Sequence, residues 1–205
     1  MSWLEPVILR LDEVSLVPLS ASHHDALCEA VKDGELWKLW YTSVPAPEAM
    51  EQEIARRLAL QAKGEMLPFT VLAAARPVGM TTFMNADAAN RRVEIGSTWY
   101  ARSCQRSGVN SRCKLMLLAH AFETLEAIAV ELRTHVMNRQ SRAAIERLGA
   151  KLDGVLRNHS RARNGTLRDT CVYSILPGEW PTVKANLEWQ IERHAGPIAA
   201  PAPKA

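Results

Sequence analysis

Val93-Glu94-Ile95-Gly96-Ser97-Thr98-Trp99-Tyr100, followed by Gln105-Arg106-Ser107-Gly108-Val109-Asn110, is the stretch from which the rest of the chain can be placed. The first segment is rich in residues that favour a pleated, half-buried strand. After the second, Leu115, Leu118, Phe122 and Leu125 recur at helical spacing. The order is strand, polar loop, helix. A helix that starts directly after a loop presents unpaired backbone N–H groups and a partial positive charge, which suits a phosphate or pyrophosphate.

The 205 residues suit one domain with a sizeable core, and 47% hydrophobic with 23% charged residues excludes a disordered or fibrous chain. The net charge of +3 would help attract an anionic ligand but falls far short of the clustered basic footprint of a nucleic-acid binder. Cys28, Cys104, Cys113 and Cys171 are scattered without a C-x-x-C spacing, so free thiols in a reducing compartment are expected, and no metal site. No basic segment with a following apolar run opens the sequence, and no stretch approaches membrane-spanning length. A cytoplasmic protein without a membrane partner is the expectation.

Outward from the central stretch, Val7 to Pro18 reads as two short strands or one broken strand around Asp12-Glu13. Ser20 or Ser22 caps a helix over His23 to Lys32, and Glu48 to Gln61 forms a second one. Between them lies Leu36-Trp37-Lys38-Leu39-Trp40-Tyr41. Aromatics at this density suit a ligand cleft, yet Trp37 and Trp40 at i, i+3 equally suit a core, and both readings stand. Pro68 to Ala74, Val78 to Met84 and Val93 to Tyr100 form an antiparallel meander, with a turn around Arg76-Pro77 and a polar turn over Asn85 to Arg92. Ile128 to Val136 alternates cleanly. One helix separates it from Val93 to Tyr100, which favours a parallel pair with a right-handed crossover. Asn138 caps the next helix and Gly149 stops it. Asp153 to Ser160 and Leu167 to Leu176 form a hairpin around Asn164-Gly165. Trp180 to Arg193 is a terminal helix, and 195–205 is an Ala/Pro-rich tail after a single domain over 1–194. The apolar surface of Trp180, Leu187, Trp189 and Ile191 either packs on the core or joins subunits in a homodimer.

This order of elements resembles the GNAT superfamily of acetyl-CoA-dependent N-acetyltransferases, specifically its RimJ/RimL-like branch. Glu94-Ile95-Gly96 with Trp99-Tyr100 resembles the coenzyme strand of that branch. Gln105 to Asn110 is similar to the Q/R-x-x-G-x-G/A loop at its first and fourth positions, with Arg106, Ser107 and Asn110 departing from the common pattern. Asn138 to Ala150 closely resembles the N-x-x-S-x-x-x-x-E-x-x-G-F/A helix of the branch. The resemblance implies a mixed α/β (α+β) fold: a central, mostly antiparallel sheet of about seven strands flanked by helices, with a splayed parallel pair at the coenzyme cleft. It implies acetyl-CoA as co-substrate, no metal, and a primary amine as acceptor, either a protein N-terminus or a small amine.

On that resemblance, Trp99 and Tyr100 pair with pantetheine through backbone groups, and Gln105, Arg106, Ser107, Gly108, Val109, Asn110 and Ser111 hold the pyrophosphate. Asn138 contacts the pantetheine arm, and Ser141 serves the departing thiolate as proton donor or hydrogen-bond partner. Both are also ordinary helix-cap residues. Amine attack also needs a proton acceptor. Glu94 is the candidate, although a structural pairing with Arg168 or Arg133 is the other reading. Arg102, Arg106, Arg112 and Lys114 add positive charge near the loop or are solvated. His135 and His159 lie on strands that could face the cleft, His120 reads as packing, and Arg168-Asp169 most simply forms an internal ion pair. Trp37, Trp40 and Tyr41 line the acceptor side. The alternative function is a non-catalytic acyl-CoA-binding regulatory module, suggested by the altered Arg106-Ser107 loop. An RNA-directed enzyme ranks last.

Overall fold

The computed structural model describes residues 3–193, so the expected tail at 195–205 and the domain limit at 194 lie outside the described residues. In chain order the elements are β1 (Leu9–Leu11), β2 (Val14–Pro18), α1 (His24–Lys32), α2 (Met50–Ala62), β3 (Met66–Ala73), β4 (Arg76–Asp87), β5 (Arg92–Tyr100), α3 (Val109–Ala119), β6 (Ala129–His135), α4 (Arg139–Leu148), β7 (Lys151–Arg161), β8 (Leu167–Ile175) and α5 (Trp180–Arg193). They build an α+β fold around one open sheet with strand order β1-β2-β3-β4-β5-β6-β8-β7. Every neighbouring pair is antiparallel except β5 and β6, which run parallel. Eight strands rather than about seven arise because Asp12, at φ 51, turns the chain sharply enough for Leu9–Leu11 to pair back on Val14–Leu16.

The turn expected around Arg76-Pro77 sits two residues earlier, at Ala74 and Ala75, both with positive φ. The polar residues Asn85 to Asp87 continue β4 rather than leaving it, since Asp87 still pairs with Arg92. The sheet carries a core on each face. Leu27, Val31, Met50 and Ile54 of α1 and α2 pack against Met80 and Trp99 on one side. Val109, Cys113, Leu117, Ile145, Leu148 and Leu187 of α3, α4 and α5 pack against Phe83, Ile95, Leu132 and Tyr173 on the other. Each such buried side chain contributes roughly 1.5–3 kcal/mol. Val109, Cys113 and Leu117 of α3 join this second core together with the expected stripe, in which Leu118 is fully buried and Leu115, Phe122 and Leu125 pack against it. Phe122 stacks on Trp180 of α5 at 5.6 Å. In α5 itself, Trp180, Val183 and Leu187 pack inward, while Trp189 remains exposed beneath Arg193.

Two features of β5 position the site. Met80 pairs with Trp99 and Thr82 with Gly96, so β5 spends two residues, Ser97 and Thr98, where β4 spends one. This is a β-bulge, and Ser97 occupies it at φ 48. The extra residue reverses the alternation: Val93 and Ile95 face the α3 side, yet it is Tyr100 that faces that side at the far end and Trp99 that faces α1 and α2. Arg57 of α2, only 2% exposed, holds the bulge from behind by donating to Thr82 Oγ1 at 2.6 Å and to the Ser97 carbonyl at 3.4 Å. The second feature is the brevity of the parallel pairing. Only Arg92, Val93 and Glu94 pair with Ala129, Val130 and Glu131. Beyond them β5 runs on to Tyr100 and β6 to His135 without pairing, and a gap opens between the two.

Candidate active site

The gap has a polar rim on β5. The Ala101 N–H donates to the Val78 carbonyl at 2.8 Å, so alternation points the backbone of Tyr100 away from β4 and into the gap. Trp99 is turned the other way: a Cβ on Gly79 of β4 would meet its carbonyl oxygen at 2.1 Å. The two residues expected to act together therefore divide, with the Tyr100 main chain at the gap and the Trp99 main chain on β4. Their side chains are buried in opposite cores, and the Tyr100 hydroxyl lies against Cys113, where burial pushes it well above its usual proton affinity.

At the open end of the gap, two helix N-termini meet. Gly108, at φ 83, is the N-cap of α3, and no side chain caps it. The first intrahelical bond there is Arg112 N–H to the Gly108 carbonyl, so the N–H groups of Val109, Asn110 and Ser111 precede the first helical bond and point outward. Arg106, at φ 63, and Ser107, whose hydroxyl donates to the Cys104 carbonyl at 2.6 Å, shape the approach. The start of α4 lies alongside. Asn138 Oδ1 accepts the Ser141 N–H at 3.0 Å, a true cap, while the Ser141 hydroxyl has no hydrogen bond among the described residues. Gln105 links the parts through long bonds of 3.4 Å, donating to the Tyr100 carbonyl and accepting from Gln140 of α4.

Of the four cations expected near this loop, two are buried. Arg112 is buried, spending its Nε on Asp12 in the β1–β2 turn at 2.9 Å and a terminal nitrogen on the Gly108 carbonyl at 3.5 Å. Lys114 is 6% exposed, without a hydrogen bond or ion pair among the described residues, and burial holds its pKa down at about 8.

On the α1/α2 face of the sheet, Glu94 is 6% exposed beside the gap. Asn85 donates to its Oε2 at 2.8 Å and the Arg133 guanidinium stands 3.5 Å away. Burial outweighs both and raises its proton affinity above the ordinary carboxylate value. Gly96 makes room for it, since a Cβ there would come within 2.9 Å of Glu94 Oε1. Glu131 takes the other cations, accepting from Arg92 and from Arg133 at 2.6 Å.

The three aromatics after α1 separate. Trp37 packs on the α1/α2 core, whereas Trp40, 46% exposed, reaches His135 of β6 edge-to-face at 5.2 Å and touches Tyr41 at 5.6 Å. Trp40 and Tyr41 thus overhang the open end of the gap. His135 accepts the Met137 N–H on Nδ1, which leaves the proton of the neutral ring on Nε2. Arg168 and Asp169 form no pair with each other. Arg168 Nε donates to Thr170 Oγ1 at 3.0 Å, and Asp169 accepts the Asn158 N–H at 2.7 Å, because successive strand residues point to opposite faces. His159 shares Thr170 Oγ1 at 3.1 Å. His120 packs near Phe83 as expected. The sequence reading missed Arg57, whose signal is a helix arginine four residues after Glu53, and Thr170, which carries none.

No helix among the described residues is long and apolar enough to cross a membrane. The family model for the acetyltransferase (GNAT) domain matches residues 13–151. The protein named "Putative ribosomal N-acetyltransferase YdaF" of Bacillus subtilis (strain 168) is 36% identical over 102 residues, half of this chain and 55% of that protein, so the chain spans about half the length of this curated relative. A "putative acetyltransferase" from T. thermophilus, of known structure, is 31% identical with a TM-score of 0.81, covering 92% of this chain and 99% of the other. Mycobacterium smegmatis RimJ, solved in complex with CoA-disulfide, shares the fold at 22% identity and a TM-score of 0.75, covering 90% and 93%. The splayed parallel pair, the uncapped α3 and the match over most of the sequence agree, and this chain belongs to the GNAT acetyltransferases.

Proposed function

We propose that the protein transfers an acetyl group from acetyl-CoA to a primary amine by direct attack within a ternary complex. The observation that carries this reading is the convergence at one gap of three elements: the unpaired end of β5, the uncapped N-terminus of α3 and the start of α4. The residues fit the coenzyme: a narrow slot with free main-chain groups suits a β-like pantetheine arm, and the α3 N-terminus suits a pyrophosphate. The coenzyme supplies the acetyl thioester. Tyr100 offers main-chain hydrogen bonds along the slot, and Val109, Asn110 and Ser111 offer N–H groups at its outer end. Ser141, with its hydroxyl uncommitted, hydrogen-bonds the thiolate sulfur as it departs or gives it a proton.

The amine arrives from the α1/α2 face beneath Trp40 and Tyr41. Glu94 receives its proton directly or through water, and its raised proton affinity suits a base that works near neutrality. His135 is a poorer base, since the Met137 N–H occupies its free lone pair. The name of the Bacillus relative favours a protein N-terminus as acceptor. Calorimetric titration with acetyl-CoA, followed by thiol release across a panel of amines, tests the proposal. Absence of coenzyme binding at millimolar concentration defeats it. Tight binding with no turnover, unaltered in Ser141→Ala and Glu94→Gln, selects the non-catalytic module instead.

A further inference from the structure

The α1 and α2 helices pack chiefly on β4 and β3, whereas on the same face of β6 and β8 beyond the gap Trp40 lies against His135 and His159 against Thr170. On that face Arg92 and Arg133 are matched by Glu131 and Glu94, Lys151 by Glu179, and Asp153 accepts from Ser174. Arg168 has no such match. It is half-buried, its Nε is spent on Thr170, and among the described residues no carboxylate lies within ion-pair distance of it, which leaves the two terminal nitrogens of its fork available. Its charge is felt at both Glu94 and His135, which brackets it over the open end of the gap. Beside it, His135 is 3% exposed and its Nε2, the protonated nitrogen of this tautomer, is buried without a hydrogen-bond partner under the edge-to-face ring of Trp40. A buried N–H with no acceptor is costly unless a ligand supplies one. Register places His135 directly opposite Thr170, the residue that aims Arg168.

We propose that the acceptor is an amine that carries a carboxylate, and that Arg168, with the Nε2–H of His135 beside it, receives this carboxylate at the end of β6 and β8 beneath Trp40. The inference rests on the acetyltransferase reading of the cleft and narrows its substrate class. An arginine fork matches a carboxylate in two bonds, whereas a neutral amide of the same shape presents only one acceptor and brings donors against the cation. The class comprises free α-amino acids and peptides that begin with Asp or Glu.

The test uses matched acceptors with acetyl-CoA: peptides beginning with Asp or Glu against the same peptides beginning with Asn or Gln, and a free amino acid against its amide. The wild-type protein is expected to favour the carboxylate member in kcat/KM by about 10- to 100-fold, mainly through KM. Arg168→Gln collapses that ratio toward unity, and Arg168→Lys retains part of it, while calorimetry shows the same acetyl-CoA affinity in all three. If Arg168→Gln does not fold, the wild-type ratio and Arg168→Lys decide. If acetyl-CoA binds but no amine is turned over, calorimetric binding of the same pairs to the coenzyme complex decides by the same ratio. Amides as good as carboxylates overturn the inference and leave the acetyltransferase reading intact. A variant that loses acetyl-CoA affinity instead of carboxylate preference overturns it as well. Failure of the wild type to bind acetyl-CoA overturns both.

Discussion

Replacing Lys114 by Met should make the protein more stable, and by an amount that depends on pH. Lys114 is buried on α3 with no carboxylate to answer it among the described residues, and burial moves its pKa from 10.5 to about 8. A displacement of that size is worth about 3 kcal/mol. The sign follows from proton counting. Below pH 8 the lysine is charged in both folded and unfolded chains, so the folded state carries the full burial cost. Between about pH 8 and 10.5 the unfolded chain binds the proton and the folded chain does not, so stability gained from this group rises with pH. Methionine has similar length and no charge to bury. At pH 6 Lys114→Met is therefore expected to be more stable by about 3 kcal/mol, or roughly 6–12 °C in Tm for a chain of this size. The advantage shrinks steadily as pH rises through 8 toward 10.5. The neighbouring Cys113, which burial pushes up to about 12 against the pull of the Lys114 charge, acts in the opposite direction above pH 9 in both proteins, and losing that charge can only add to the shrinkage of the advantage toward pH 10. Urea unfolding followed by circular dichroism at pH 6, 8 and 10 measures this. A variant less stable than its parent at pH 6, or an advantage that does not shrink by pH 10, would refute the reasoning.

Asn138→Ala should cost about 1 kcal/mol of stability through the lost cap, whereas Ser141→Ala, which keeps the N–H that Asn138 receives, should change stability little and lower kcat; urea unfolding beside steady-state kinetics separates the two. Because burial raises the proton affinity of Glu94, the acid limb of the kcat/KM profile should lie above the ordinary carboxylate range, and Glu94→Gln should remove that limb. Arg57→Ala should destabilise by about 1–3 kcal/mol, since Arg56 still holds Glu53 but Thr82 Oγ1 and the Ser97 carbonyl lose their buried donor, and should weaken acetyl-CoA binding with the loss of the bulge, both readable by unfolding and calorimetry.

Local signals in the sequence carried far. Asn138 before an apolar stripe ending at Gly149 specifies α4 and its cap, and Asn164-Gly165 specifies the β7–β8 hairpin, because each depends on a few adjacent residues. Strand, loop and helix around Gly108 were legible for the same reason. Sidedness was not. The bulge at Ser97 adds one residue without any compositional mark and exchanges the faces of Trp99 and Tyr100. Arg112 and Lys114 read as loop cations, yet both point into packed surroundings, because α3 is enclosed by the sheet, the β1–β2 turn and α5. The separation of Trp37 from Trp40 likewise depends on where β6 ends, which no spacing within Leu36 to Tyr41 encodes.

The three paired residues on each of β5 and β6 are also the mechanical seam of the molecule. On one side stand the five antiparallel strands β1 to β5, on the other the three strands β6, β8 and β7. The pairings that flank the seam, β4 with β5 and β6 with β8, run over longer registers than the one that joins them. A slender molecule lodged in the gap would bond to both halves at once and act as mortar in the joint. Amide exchange should accordingly be fastest on either side of the seam in the free protein, and the largest slowing on ligand binding should fall there, far beyond the atoms the ligand touches.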